Sequence, residues 1–252
     1  MELCRIATTD GRKRPALWTL PPDFDGTKKY PVLIKIYGGP GAPSVANAFP
    51  RRANDFFYAQ EGIIVLSVDH RGSGHFGKKG SSLMHRCLGQ WEMKDYIDTV
   101  KYLRTLPFVD PARIGITGGS YGGYVTAMAM TYGADYFSFG IADFSVIDWR
   151  LYDSVYTERF MDTPQENPEG YKNGSVLSYL DRYKGGLRIT HGSMDDNVHM
   201  QNTLQFINKM MDLGKPVEMM VYPGERHGYR GVKGNYQAKR DWEFWKKNLL
   251  GQ

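Results

Sequence analysis

The chain has 252 residues, of which 41% are hydrophobic, and a formal net charge of +5. This composition excludes a disordered protein, and the length suits one α/β domain that buries about three quarters of its unfolded surface. The basic residues lie in short runs spread along the chain, which argues against a nucleic-acid-binding surface, and no stretch reaches the roughly 18 apolar residues of a membrane span.

Apolar runs alternate with segments of helical periodicity along the chain. Several runs are continuous, which is typical of strands covered on both faces of a sheet. We predict strands, in chain order, at residues 31–37, 62–69, 114–117, 137–141, 186–192 and 217–222. We predict helices, in chain order, at residues 56–60, 91–106, 121–130, 200–213 and about 237–250. Residues 110–113 are predicted to form a turn, and strand-like residues begin at Leu3.

The alternation of strands and helices predicts a doubly wound, mostly parallel sheet with helices on both faces. Residues 149–183 break this rhythm, because they are rich in Tyr, Pro, Asn and Gly. We interpret them as an insertion over the active-site end of the sheet. The whole chain, residues 1–252, is expected to form a single domain.

A predicted strand, the run Gly-Gly-Ser-Tyr-Gly at residues 118–122 and a predicted helix follow one another directly. This is the context of a nucleophile elbow, a tight turn that requires small residues around the serine. The serine then projects at the edge of the sheet, where the helix N-terminus favours developing negative charge. The sequence therefore predicts that Ser120 is the nucleophile of a serine hydrolase with the α/β-hydrolase fold, rather than part of a structural glycine turn.

A nucleophilic serine needs a base, and in this fold the chain order is serine, acid, histidine. Three histidines follow Ser120, namely His191, His199 and His227. We predict that His227 is the base, because it lies just beyond the last predicted strand. We predict a structural role for His191, which ends a strand before any candidate acid, and a capping or pocket role for His199.

The acid is expected after the penultimate strand, where Asp195 and Asp196 are adjacent. Only one of them can face His227, because adjacent side chains point apart. Spacing alone leaves the choice between them open.

Three motifs occur together in this chain. They read Gly-Gly-Ser-Tyr-Gly-Gly-Tyr at 118–124, Tyr-Asp-Ser-Val-Tyr-Thr-Glu-Arg-Phe at 152–160 and His-Gly-Ser-Met-Asp-Asp-Asn-Val-His at 191–199. Jointly they resemble the catalytic domain of the prolyl oligopeptidase family, in its dipeptidyl peptidase IV and prolyl tripeptidyl peptidase branch, over essentially the whole chain. The resemblance implies a serine peptidase that cleaves after proline or alanine through an acyl-enzyme, on a peptide substrate with proline near its N-terminus.

The resemblance also assigns roles to individual residues. It makes Asp195 the acid and His227 the base, and it builds the oxyanion hole from the Tyr37 hydroxyl and the Tyr121 amide. It implies that Asn197 binds a backbone carbonyl of the substrate. The implied slot for the proline ring consists of Tyr121, Val146, Trp149, Tyr152, Tyr156 and Val198. From the residues alone, Tyr37 and the slot aromatics are equally compatible with core packing.

The chain departs from the family's pattern in three respects. Gly119 stands where the dipeptidyl peptidase branch commonly has tryptophan, and His70 stands where glycine is usual. Family members carry an N-terminal β-propeller, which in dipeptidyl peptidases supplies the glutamates that hold the substrate's amino terminus, and this sequence contains none. The choice between exopeptidase and endopeptidase therefore stays open, and we expect either a piece of a longer peptidase or a free-standing hydrolase.

Two other functions are kept as alternatives, a carboxylesterase with the same triad and a non-catalytic binding module. No metal or organic cofactor is expected, because the sequence shows neither a metal-ligand cluster nor a phosphate-binding loop. No nucleic-acid partner and no membrane insertion are expected. The resemblance suggests a periplasmic, secreted or membrane-tethered parent protein and a homodimer formed through the C-terminal helix region, where Trp242, Phe244 and Trp245 either form the dimer face or pack on the sheet.

Overall fold

The computed structural model describes residues 1–48 and 53–252. The strands in these residues are β1 (Glu2–Ala7), β2 (Lys13–Thr19), β3 (Tyr30–Lys35), β4 (Ile64–Val68), β5 (Val109–Gly119), β6 (Phe139–Asp143), β7 (Gly186–Gly192) and β8 (Glu218–Tyr222). They form one sheet in the order β1-β2-β4-β3-β5-β6-β7-β8. Strand β2 runs antiparallel to both of its neighbours, and all other pairs are parallel.

Helices cover both faces of this sheet. They are α1 (Asn54–Gln60), α2 (Gly77–Ser81), α3 (Gln90–Leu103), α4 (Tyr121–Thr131), α5 (Ser154–Met161), α6 (Pro168–Asn173), α7 (Gln201–Asp212) and α8 (Gly231–Trp245). Successive strand residues point to opposite faces, so Val32 and Ile34 join the larger core cluster and Leu33 the smaller one. The larger cluster includes residues of α3, α4 and α7, and the smaller one residues of α1 and α8. This confirms the predicted α/β fold with a mostly parallel sheet.

The predicted turn at residues 110–113 was wrong, because these residues lie within β5. Tyr30 of β3 pairs with Val109, and Val32 pairs with Ile114, so β5 carries extra residues between the two pairs. This register shift is a bulge-like irregularity of the strand. Pro and Asp are typical of turns but also occur at such irregularities, so these residue types do not distinguish the two structures.

The predicted start of the last helix, at about residue 237, was also wrong. Helix α8 begins at Gly231 and continues as a π-helical turn over Lys246–Leu250. The beginning of this helix contains Gly231 and Gly234. Glycine lowers helix propensity, so the sequence does not predict a helix over these first residues. Gly234 has a steric reason to be glycine, because a Cβ there would lie 2.9 Å from the Tyr229 carbonyl oxygen.

The antiparallel edge of the sheet was only partly predicted. The sequence predicts strand-like residues from Leu3 onward, where β1 lies, but it does not predict β2. Alternate residues of β2 are buried, and one of them is Arg14, whose side chain donates to the Asp95 carbonyl oxygen at 2.5 Å. A charged residue on the buried face masks the two-residue period by which a half-buried strand is recognised.

Two further findings concern the described residues as a whole. None of their helices combines the length and the apolar character that crossing a bilayer requires. No three His, Cys, Asp or Glu side chains among them cluster so as to hold a metal ion.

Phe244 and Trp245 pack on the sheet within the chain, in the cluster that contains Leu33.

A buried ion pair ties the segment after β4 to α3. The Arg71 guanidinium donates to the Asp95 carboxylate from Nη2 at 2.5 Å and from Nε at 3.0 Å, and the Arg71 amide donates to it at 2.7 Å. The two side chains are 1% and 0% exposed. Without the Arg71 guanidinium, which also pairs with Asp10 at 2.9 Å, the buried Asp95 carboxylate would lose its charged partner, which is strongly unfavourable.

We therefore expect Arg71→Ala to lower the free energy of unfolding by about 3–5 kcal/mol. Urea denaturation followed by circular dichroism measures the change. Lys184→Met is the matched control, because it removes a surface pair whose side chains are 60% and 67% exposed. The control is expected to unfold at the wild-type midpoint. A wild-type midpoint for the Arg71 variant would contradict a stabilising buried pair.

Candidate active site

Ser120 lies at the sharp turn between β5 and α4. Its φ of 59° and ψ of −119° are rare for a residue with a side chain. A Cβ on Gly118 would lie 2.5 Å from the Ile36 carbonyl oxygen, and one on Gly122 would lie 2.7 Å from the same atom. The glycines on either side therefore allow the close backbone approach that holds the serine in this conformation.

A row of hydrogen-bonded side chains joins the ends of β5, β7 and β8. His227 Nε2 lies 2.8 Å from Ser120 Oγ, and His227 Nδ1 lies 2.8 Å from Asp195 Oδ2. The carboxylate favours the tautomer with the proton on Nδ1, which leaves Nε2 free to accept the serine proton. The His227 side chain is 22% exposed, whereas that of Asp195 is fully buried. The arrangement suits proton abstraction from Ser120.

The two adjacent aspartates face different surroundings. Asp195 Oδ1 accepts hydrogen bonds from the amides of Asn197 and Val198, both at 3.0 Å. Asp196 instead pairs with Arg226 at 2.6 Å, and both of these side chains are more than 60% exposed. The structure thus brings Asp195, and not Asp196, to His227.

The Asp195 carboxylate is held in its charged form. Burial alone would raise its pKa, but hydrogen bonds from His191, His227 and the Asn197 amide outweigh burial. The pKa therefore lies well below the ordinary value of an aspartate. An ionised carboxylate at this position would stabilise an imidazolium at His227 if that residue took up a proton.

His191 lies beneath the aspartate and is fully buried. Its Nε2 is 2.7 Å from the Val198 carbonyl oxygen and 3.4 Å from Asp195 Oδ2, and its Nδ1 is 2.8 Å from Thr203 Oγ1. These contacts fasten the loop that carries Asp195. His199 is exposed on the same loop, where its carbonyl oxygen accepts from the Asn202 amide.

Tyr37 follows β3 and lies close to the elbow. Its ring centre is 6.3 Å from that of Tyr121, and the residue is 41% exposed. A Cβ on Gly39 would lie 2.6 Å from the Tyr37 ring, so the glycine makes room for it. Tyr121 is the first residue of α4, and the first amides of a helix have no partner within the helix. The Tyr121 amide is therefore adjacent to Ser120 in the chain, and the Tyr37 ring lies near the Tyr121 ring.

The predicted slot residues also come together. The Trp149 ring centre lies 5.3 Å from Tyr121, 6.0 Å from Tyr152 and 6.1 Å from Tyr156. Trp149 and Tyr121 are buried, whereas Tyr152 and Tyr156 are partly exposed. The two predicted slot valines belong to the same core cluster. The Tyr152 hydroxyl donates to Asn197 Oδ1 at 2.8 Å, which joins the insertion to the loop of Asp195.

Phe144 is a site residue that was not predicted from the sequence. A Cβ on Gly119 would lie 2.6 Å from its ring, so Phe144 occupies the space beside the glycine. Its ring packs edge-to-face on His227, with centres 4.7 Å apart, and its φ of 36° is rare for a bulky residue. The signal in the sequence was Gly119 itself. The dipeptidyl peptidase branch commonly has tryptophan at this position, so the glycine leaves space that the Phe144 ring occupies.

Comparison with known proteins identifies the family. Residues 50–252 match the model described as the prolyl oligopeptidase family. A curated protein of Arthroderma gypseum named "Probable dipeptidyl-aminopeptidase B" is 42% identical over 245 residues, which is 93% of this chain and 26% of the relative. The protein of the same name from Ajellomyces capsulatus is 40% identical over 241 residues, again 26% of its length. The chain thus spans about a quarter of these relatives.

A solved structure agrees with this assignment. The crystal structure of Porphyromonas gingivalis dipeptidyl peptidase 4 superposes with a TM-score of 0.95 at 40% identity. The match covers 98% of this chain and 35% of that one. The resemblance inferred from the three motifs is confirmed, and the chain belongs to the prolyl oligopeptidase family of serine peptidases.

Proposed function

We propose that this domain cleaves peptide bonds after proline or alanine through an acyl-enzyme on Ser120. The observation that carries the proposal is the continuous row from Ser120 through His227 to Asp195, with both contacts at 2.8 Å, beside an aromatic slot. The relatives are named as dipeptidyl peptidases, and we extend the release of dipeptides to this domain as part of the proposal.

The proposed reaction has two halves. Ser120 Oγ attacks the carbonyl carbon of the scissile bond while its proton passes to His227 Nε2. His227 then gives this proton to the leaving nitrogen as the carbon–nitrogen bond breaks, and the acyl-enzyme remains. In the second half a water molecule attacks the ester, His227 takes its proton, and that proton returns to Ser120 Oγ as the acyl–oxygen bond breaks. Asp195 stabilises the protonated His227 in both halves.

The slot explains the preference for proline in this proposal. Trp149 and Tyr156 lie nearly parallel, at 20°, and Tyr152 meets Tyr156 edge-to-face with centres 5.5 Å apart. Flat aromatic walls suit a compact and rigid pyrrolidine ring. Asn197 accepts from Tyr152 through Oδ1, so its Nδ2 is left to donate to a backbone carbonyl of the substrate.

Tyr37→Phe is expected to lower kcat by about a hundredfold to a thousandfold, because the hydroxyl would stabilise charge that develops on the carbonyl oxygen only in the transition state. KM is expected to stay near the wild-type value for the same reason. Steady-state hydrolysis of a Gly-Pro anilide measures both constants. Tyr132→Phe is the control, since Tyr132 is a partly exposed tyrosine that packs on Tyr179. A wild-type kcat for the Tyr37 variant would remove its hydroxyl from the proposed oxyanion hole.

The proposed function is tested by labelling with a fluorophosphonate and locating the adduct by mass spectrometry. The expected adduct is on Ser120, and folded protein that stays unlabelled, or labels elsewhere, would contradict the proposal. Hydrolysis of a Gly-Pro anilide is then compared with that of short acyl esters. Turnover of the esters without the anilide would indicate a carboxylesterase on the same three residues.

A further inference from the structure

Glu92 is a buried carboxyl group that joins the first turns of α3 and α4. It is 0% exposed, and its Oε1 accepts hydrogen bonds from the Tyr121 hydroxyl and, at 2.9 Å, from the Gly89 amide. Among the residues that the structure describes, its Oε2 has no hydrogen-bond partner. A buried polar atom without a partner is uncommon in folded proteins and calls for an explanation.

The partner of Glu92 is the residue directly after the proposed nucleophile. The Tyr121 ring packs on Trp149, with centres 5.3 Å apart, and meets Tyr124 edge-to-face at 5.4 Å. Its amide is one of the two proposed oxyanion donors, and its ring is one wall of the slot. The bond to Glu92 holds the far end of that ring. A shift of Tyr121 would therefore move the amide and the slot wall together.

We propose that Glu92 is a positioning residue for acylation, because its bond to the Tyr121 hydroxyl fixes both the oxyanion-hole amide and one wall of the proline slot. The inference rests on the proposed function of Ser120 and Tyr121. It assigns Glu92 no contact with the substrate, since the carboxyl group lies behind the Tyr121 ring and is fully buried.

The neutral amide of glutamine can replace the carboxyl group in this role. Burial raises the pKa of Glu92 to about 7, although the Tyr121 hydroxyl and the Gly89 amide oppose the increase. Burial thus favours the neutral carboxyl group, and either form of Glu92 can accept through Oε1. Glu92→Gln keeps an acceptor oxygen at this position. Glu92→Ala removes the acceptor and leaves the buried Tyr121 hydroxyl without a partner.

The experiment measures second-order rate constants for labelling of Ser120 by two probes, an alkyl fluorophosphonate and a prolyl phosphonate ester. Glu92→Ala is expected to slow both by about tenfold or more, because displaced oxyanion donors cost transition-state binding. The loss is expected to be larger for the prolyl probe, which also needs the slot. Glu92→Gln is expected to restore rates close to wild type for both probes.

Two further variants separate positioning from stability. Asp98→Ala on the same helix removes a carboxylate that accepts from the Thr9 amide and hydroxyl, and it is expected to destabilise the fold without slowing either probe. Tyr121→Phe cuts the same bond from its other end and keeps the ring. It is expected to slow labelling as Glu92→Ala does, and the double variant is expected to be no slower. If Glu92→Ala does not fold, Tyr121→Phe alone tests the bond.

The possible outcomes distinguish this inference from the function on which it rests. If the wild-type protein is labelled at Ser120 and the Glu92→Ala and Tyr121→Phe variants are labelled at the wild-type rate, the inference is overturned and the proposed function stands. An Asp98 variant as slow as the Glu92 variant would also overturn it, because the effect would then be one of stability. Folded wild-type protein without a Ser120 adduct would overturn the proposed function, and this inference with it.

Discussion

Ser120→Ala is expected to lower kcat/KM for a Gly-Pro anilide by about a millionfold and to leave the fold intact. The substitution removes one oxygen atom, whose side-chain contact is the hydrogen bond to His227 at 2.8 Å. Alanine differs from serine only by that atom, so it enters the strained conformation at φ 59° as serine does. The loss would therefore reflect chemistry rather than folding.

The measurement combines anilide hydrolysis with thermal unfolding of the same sample. Ser178→Ala is a matched control, because Ser178 is exposed and its hydroxyl donates to the Lys172 carbonyl oxygen. The control is expected to retain wild-type kcat and melting temperature. A Ser120 variant that unfolds at the wild-type temperature and still hydrolyses the anilide at the wild-type rate would show that another group attacks the substrate.

The elbow was predictable because its constraints are local. A buried strand, small residues around a serine and a helix are contiguous in the chain, and each imposes its own composition on the sequence. The steric reason is visible in the structure, where a Cβ on Gly118 or Gly122 would meet the Ile36 carbonyl oxygen. The parallel strands were predictable for a similar reason, since burial on both faces gives continuous apolar runs.

The groups around the elbow were less predictable, because they arrive from distant parts of the chain. Phe144 fills the space beside Gly119 across two neighbouring strands, and Glu92 reaches Tyr121 from a different helix. No local pattern records such pairs. Arg14 shows the same limit within a strand, since its burial makes sense only once the Asp95 carbonyl oxygen lies beside it.

The choice between Asp195 and Asp196 as the acid was only partly predictable from the sequence. Both have the right position in the chain and the same chemistry, so spacing could not choose between them. The distinction is made by the loop, whose amides at Asn197 and Val198 donate to Asp195 and turn it toward His227. Asp196 is left on the surface with Arg226. The resemblance to the family supplied the choice that the residues alone left open.

Asp195→Asn is expected to lower kcat by about ten-thousandfold, because an asparagine favours the wrong tautomer of His227 and cannot stabilise its protonated form. Asp196→Asn is expected to retain wild-type kcat, because it alters only an exposed ion pair. Both are measured by anilide hydrolysis under saturating substrate, with circular dichroism to establish folding.

The two variants are matched in chemistry and adjacent in sequence. The difference between their kcat values therefore reports the effect of the carboxylate orientation that the loop imposes. Equal losses would mean that both carboxylates act through the local field rather than through a bond to His227. A larger loss for Asp196→Asn would assign the acid to the other residue and contradict the hydrogen bond from His227 Nδ1 to Asp195 as the catalytic contact. The expected result, a large loss at one residue only, requires that a directed hydrogen bond, and not charge alone, prepares His227 to activate Ser120.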